Sequence, residues 1–222
     1  SLSAQSHFHQ HQGSSVNLKR QEGPHAHMAH LTPDGRHLLV TDLGTDQLMI
    51  YQINPQGKLA LLKDRCLTLP AGSGPRHLTF SNSNKSMYLI NELGNTILVF
   101  PVGEDGLPEK EYVQKIDTLP SDFSDESTTA DIHVHPSGKF LYGTNRGHDS
   151  FCYYRILPDE KLELIGHVST GGQSPRNFSI HPGGQWLVVA HQVSGNILSF
   201  DVDQQTGMLK QTDNQQLKLQ PS

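Results

Sequence analysis

Four turn signals recur along the chain at near-equal spacing: Pro33-Asp34-Gly35, Asn82-Ser83-Asn84, Pro136-Ser137-Gly138 and Pro182-Gly183-Gly184, separated by 49, 54 and 46 residues. A short apolar run follows each turn at once: HLLVTD, SMYLINE, KFLYGTN and QWLVVAH. Another precedes it: HMAHLT, HLTFS, DIHVH and NFSIH. A second turn then leads to QLMIYQI, TILVFPV, SFCYYRI and NILSFDV, and a more polar stretch such as KLALLKDRCLTL or KLELIGHVST closes the unit. Runs this short, rich in Ile, Val, Tyr, Phe and Leu and bounded by Gly, Pro, Asn and Asp, are strands. No segment carries a helical 3.6-residue apolar period of useful length.

A four-stranded antiparallel unit of about 50 residues, repeated in tandem, predicts an all-β β-propeller whose blades pack around a central channel. A β-sandwich has similar strand content but no reason to repeat at a fixed interval. The units are expected at 24–74, 75–124, 129–170 and 171–220, about four blades within a single, partial propeller domain spanning 1–222. Residues 14–23 read as the outer strand of a preceding blade, 1–13 as loop or tail, and 120–129 as an inserted exposed loop.

A length of 222 residues suits one domain with a sizeable core. Lys and Arg number 17 against 22 Asp and Glu, a net charge of −5. That balance argues against a nucleic acid or an anionic membrane as partner. No apolar run approaches the length that spans a bilayer. The start, SLSAQSHFHQHQG, has neither a basic n-region nor an apolar h-region, so no signal peptide is expected. Cys66 and Cys152 form no CxxC pair, which suits a reducing cytoplasm. GxSxG, HExxH and Walker motifs are absent from the sequence.

Aligning the units on their turns yields two columns. The first, just before the innermost strand, holds His27, Arg76, Ala130 and Arg176; the second, just after the next strand, holds Asp42, Glu92, Arg146 and His191. Strands joined by a hairpin turn start and finish at the same end, so both columns fall on one face at the channel mouth. Seven of these eight positions are ionisable, in a chain that is only 18% Asp, Glu, Lys and Arg. Convergent His, Glu, Asp and Arg suit acid–base chemistry on an anion. His77 and Asp131 lie one residue inward. His133 and His135 read as channel-lining or turn-bonding residues, and the HxHxH stretch of His7, His9 and His11 as a solvated tail rather than a metal site. No metal or cofactor is expected.

The stretches GSSVNLKRQEGPHAHMAHLTPDGRHLLVTDLGTDQLMIY, GSGPRHLTF, YLINELGNTILVF, YGTNRGHDSF and GGQSPRNFSIHPGGQWLVVAHQVSGNILSFDVDQQTGML carry PHxH, PRH, NEL, NRG and SPRN in that order. This combination resembles the lactonase family of seven-bladed β-propellers, which includes propeller-type 6-phosphogluconolactonase and 3-carboxy-cis,cis-muconate lactonizing enzyme. The resemblance covers about residues 13–220. It implies catalytic residues at His27, Arg76, Glu92 and Arg146, with Arg176 of SPRN as a further anion contact. The columns add Asp42 and His191 as substrate-binding residues, with Asp42 placed to orient His27. The expected reaction is hydrolysis of an anionic sugar lactone, 6-phospho-D-glucono-1,5-lactone, in the pentose phosphate pathway, with Glu92 or His27 as base. A carboxymuconate cyclase and a non-enzymatic binding scaffold are the alternatives. Four units match the later part of a seven-bladed fold, and the ending LKLQPS falls short of a ring-closing strand. Self-association through open blade edges is therefore expected.

Overall fold

The third residue of each recurrent turn has a left-handed backbone: Gly35 at φ 69°, Asn84 at 60°, Gly138 at 72° and Gly184 at 77°. Gly and Asn accept this conformation at little steric cost, so the flanking runs fold back on each other as hairpins. The next turn repeats the device with Asp46, Asn95, Asp149 and Gly195. In the computed structural model, which describes residues 8–212 and 217–218, four antiparallel sheets result.

The first blade comprises β1 (Ala26–Leu31), β2 (His37–Asp42), β3 (Gln47–Ile53), β4 (Leu59–Leu61) and β5 (Leu67–Thr68). Its outer edge is broken by a 3-10 turn at Lys63–Arg65, so β4 and β5 both pair with β3. The second blade comprises β6 (Pro75–Phe80), β7 (Ser86–Asn91), β8 (Thr96–Pro101) and β9 (Gln114–Asp117). The third has β10 (Thr128–Val134), β11 (Phe140–Arg146), β12 (Ser150–Ile156) and β13 (Leu162–Ser169). The fourth has β14 (Pro175–Ile180), β15 (Trp186–His191), β16 (Asn196–Val202), β17 (Leu209–Gln211) and β18 (Leu217–Lys218). Every strand pair within a blade is antiparallel, and innermost strands of successive blades touch: β1 with β6, β6 with β10, β10 with β14. This is a β-propeller architecture with four blades.

The core lies between blades. Leu39, Leu48 and Ile50 of the first pack on Leu78, Met87, Leu89 and Phe100 of the second. Ile90, Ile97 and Val99 meet Ile132, Leu141, Cys152 and Tyr154. Tyr142 and Phe151 meet Phe178, Leu187, Val189 and Phe200. Each such side chain contributes about 1.5–3 kcal/mol on burial. The inner blades are covered on both faces, so β7 is buried at every residue.

Two expectations are corrected. Residues 14–23 form no strand. The chain turns at 18–20, with Ser15 N–H donating to Gln21 O at 2.9 Å. Buried Gln21 fixes this loop through Nε2, which donates to Leu43 O and Asp46 Oδ1 at 2.9 and 2.8 Å. The HxHxH stretch is a solvated tail only in part: His9 is exposed, but His11 is not. His11 is buried between Asp42 and the Tyr51 hydroxyl, 2.5 Å and 2.9 Å from its two ring nitrogens. His7 lies outside the described residues.

Candidate active site

The first column sits within the innermost strands, on β-bulges, rather than before them. Pairing of β1 with β2 slips between Ala26 and Met28, at His27. The same slip occurs at Arg76 between Pro75 and His77, and at Arg176 between Pro175 and Asn177. In β10 it falls between Thr129 and Ile132, at Ala130 and Asp131. A bulge leaves one residue out of the ladder and re-aims its side chain. Three of the four bulges thus turn a His or an Arg toward the channel mouth, and at the fourth the Ala130 backbone oxygen accepts from an Arg76 terminal nitrogen. The second column ends β2, β11 and β15 at Asp42, Arg146 and His191, and places Glu92 directly after β7.

Glu92 is the centre of the cluster. Its Oε2 accepts from Arg76 Nε at 2.8 Å and pairs with Arg146 at 2.9 Å; its Oε1 accepts from Arg20. Glu92 and Arg76 are each 2% exposed. Burial by itself would raise the Glu92 carboxyl, but Arg146, the Arg20 hydrogen bond and Arg76 outweigh it and hold its pKa below the usual range. Burial lowers the Arg76 guanidinium to about 10, against the opposing pull of Glu92. It stays protonated at neutral pH. Arg146 is lowered for the same reason.

Arg20 was missed in the sequence. It lies outside the repeats, in a segment that read as a strand, and no column contains it. Its loop crosses the mouth because Gly44 leaves room for it: a Cβ there would stand 1.8 Å from Gly23 O.

Arg176 is exposed and bonded only to Gln192 Oε1, at 3.1 Å; among the described residues it makes no ion pair. It borders two adjoining hollows. One, about 520 Å³, is walled by His27, Arg76, His77, Asn177 and His191 among others; the second, about 340 Å³, includes Lys19, Arg20, Glu22, Glu92 and Arg146. Pockets of this size hold small metabolites. Burial, then Arg76 and His77, lowers the His27 imidazole to about 4, so it is neutral at pH 7. His191 is lowered by burial, and its Nδ1–H donates to Asn196 O at 3.1 Å. His27 Nδ1, Arg146 Nε and His191 Nε2 are buried without a partner. Unpaired buried polar atoms are uncommon in folded proteins; here His27 and His191 border the larger hollow and His27 and Arg146 the smaller one.

The structure thus brings together six of the seven residues marked in the sequence. Asp42 is the exception. Its carboxylate accepts from the backbone N–H groups of His25, Gly44 and Thr45 and from His11, and it makes no hydrogen bond to His27. It closes the blade corner instead of orienting the histidine. His135 behaves as read: Nδ1 bonds the Ser137 hydroxyl, and Nε2 bonds Gly184 O.

Comparison with known proteins agrees with this architecture. The family model "Lactonase, 7-bladed beta-propeller" matches residues 1–221. YwcC of Lactococcus lactis, described as uncharacterized, is 40% identical over 190 residues, 85% of this chain and 54% of the relative. The periplasmic gluconolactonase PpgL of Pseudomonas aeruginosa superposes with a TM-score of 0.88 at 31% identity, over 95% of this chain and 58% of that one. A Bacteroides fragilis protein described as a candidate 6-phosphogluconolactonase gives 0.85 at 35% identity, over 94% and 59%. The chain spans about half the length of the curated relatives it matches. Four tandem blades, a bulge-borne His and Arg ring, and a family model covering the chain lead to one conclusion: it belongs to the lactonase family of seven-bladed β-propellers.

Proposed function

We propose that this site opens an anionic sugar lactone by addition of water, and that the substrate is 6-phospho-D-glucono-1,5-lactone. The observation that carries the reading is the charge arrangement. Four guanidiniums, from Arg20, Arg76, Arg146 and Arg176, border the hollows, and three of them are held by the single carboxylate of Glu92. An anionic substrate completes the balance, and Arg176 is the free fork for a phosphate. Arg76 and Arg146, fixed by Glu92, are preorganised donors for the oxyanion that forms when water attacks the carbonyl.

The two solved relatives frame the choice of substrate, since one is named for gluconolactone and the other for its 6-phosphate. A phosphorylated substrate and two unpaired cysteines, Cys66 and Cys152, favour a cytoplasmic setting. Among the described residues no helix is long and apolar enough to cross a membrane.

The test is the rate of lactone opening at mildly acidic pH, with glucono-1,5-lactone and its 6-phosphate, for the wild type, Arg76→Ala and Arg176→Ala. The expected outcome is turnover above background that Arg76→Ala abolishes. Arg176→Ala should raise KM for the phosphorylated lactone about tenfold or more, the worth of one charge-assisted contact, and leave the unphosphorylated one unaffected. Absence of turnover by folded wild-type chain refutes the reading and leaves a binding scaffold.

A further inference from the structure

Lactone opening needs a group that takes a proton from water and returns it to the ring oxygen. The guanidinium cluster does not supply one. Glu92 has Oε1 on Arg20 and Oε2 on both Arg76 and Arg146, and these cations hold its carboxyl below the usual range, which makes it a weak base. His27 borders the larger hollow, but its desolvated ring binds a proton too weakly to serve as an effective base near neutrality.

His77 is built differently. It follows the Arg76 bulge on β6 and lines the same hollow as His27 and Arg176. Its Nδ1 lies 2.6 Å from Asp131 Oδ1. Asp131 is 2% exposed and accepts from every side: Ile132 N–H on Oδ1, and Asn177 Nδ2, Phe178 N–H and His133 Nε2 on Oδ2, at 3.0, 2.7, 3.1 and 3.1 Å. Burial opposes its charge, but the His133 and His77 bonds prevail, and the carboxyl is held far below the usual range. A permanently ionised carboxylate on Nδ1 fixes the Nδ1–H tautomer and stabilises the imidazolium when it forms. That leaves Nε2 as the ring's lone pair, with a long 3.4 Å approach from an Arg76 terminal nitrogen as its neighbour.

We propose that His77 is the general base of this site and that Asp131 is its positioning residue. This inference rests on the lactone-opening reading. His77 Nε2 takes a proton from water as the water oxygen bonds to the lactone carbonyl carbon. The tetrahedral oxyanion sits on Arg76 and Arg146. The bond from that carbon to the ring oxygen then breaks, and the imidazolium returns the proton to the departing alkoxide. A hydroxy acid is released and ionises to its carboxylate, and His77 ends neutral. The charged and titratable groups around the ring are Asp131 and His133 on β10, His27 on β1, Arg76 on its own strand, Arg176 on β14, His191 on β15 and Glu92 after β7.

The alternative is that Asp131 only ties three blades together. Steady-state kinetics of the full chain on both lactones, from about pH 5 to 7.5, separate the two, with His77→Gln, Asp131→Asn and histidine 15N–1H spectra. His77→Gln is expected to lower kcat about 10²–10⁴-fold with KM little changed. Asp131→Asn is expected to lower kcat and move the acid limb of the kcat profile to lower pH, because the imidazolium has lost its counter-charge. A folded His77→Gln protein with the wild-type kcat overturns the base. Asp131→Asn that loses thermal stability but keeps kcat and the limb overturns the positioning role. If His77→Gln does not fold, the wild type decides: its acid limb must coincide with the titration of a histidine in the Nδ1–H form, and a mismatch overturns the proposal. No turnover by the wild type removes the lactone reading and the base together, whereas turnover without dependence on His77 removes the base alone.

Discussion

Glu92 shows how one residue type changes meaning between a column of letters and a packed site. As a lone glutamate in NEL it reads as a base. Surrounded by three guanidiniums, it is a counter-ion that holds Arg76 and Arg146 in a low-dielectric wall. Removing its charge leaves buried Arg76 and half-buried Arg146 without a counter-charge, although each keeps a backbone acceptor; breaking a buried pair in this way typically costs about 3–5 kcal/mol. Glu92→Gln should therefore lower the unfolding free energy by that order, read as the urea midpoint; an unchanged midpoint would mean water already neutralises the arginines. His27 supplies a second test. Its folded pKa, about 4, lies below the 6.5 of an ordinary imidazole. The unfolded chain thus binds a proton that the folded chain refuses, so stability falls as pH drops from about 6.5 toward 4. Denaturation across that window should show a shallower slope for His27→Gln than for the wild type, with His191, also lowered by burial, supplying part of what remains.

At the scale of elements, the β-bulge is the device that makes the site. Without it, His27, Arg76 and Arg176 would keep the strict alternation of a strand. Thr41 secures one bulge from the neighbouring blade, its hydroxyl donating to Arg76 O at 2.7 Å. The loop before β1 is the other contributing element, since it carries Arg20. Its seat depends on Gly44, where any Cβ would strike Gly23 O and the His25 ring. Gly44→Ala should lift this loop from the blade corner. Limited trypsin digestion checks it, because Lys19 and Arg20 lie on the loop; faster cleavage there, with the blades intact, is the expected outcome. The buried His11–Asp42 contact lies outside this loop and should survive.

Across the whole molecule, four blades share three interblade cores. The second and third blades are covered on both faces. Among the described residues the fourth packs on one face, and the other face of the first is covered in part by residues 9–12. In β15, Leu187 and Val189 face the third blade, while Trp186, 42% exposed, and half-buried Val188 look outward. In β2, Leu38 and Val40 are likewise only half-buried. Apolar faces of this kind mark contact surfaces. The chain is expected to self-associate, giving a concentration-dependent sedimentation coefficient that Trp186→Glu shifts toward monomer; a monomer at all concentrations would exclude the contact.

The repeat, the strand runs and the turn residues were legible because each is a local property. Period-two side-chain alternation and left-handed Gly and Asn act over a few residues. The two columns were legible for a related reason: identical units place equivalent positions on one face. Arg20, His11 and the Asp131–His77 pair were not. Each depends on contacts across about 30 to 70 residues of sequence between segments that share no pattern. Asp42 and Glu92 occupy the same column, yet one closes a turn on backbone N–H groups and the other gathers guanidiniums. Sequence alone determined the architecture and the face on which the ionisable columns gather. Tertiary structure decided which of those side chains are bound to each other and which are left free for a substrate, because hydrogen-bond satisfaction in a buried site is settled by neighbours in space and not along the chain.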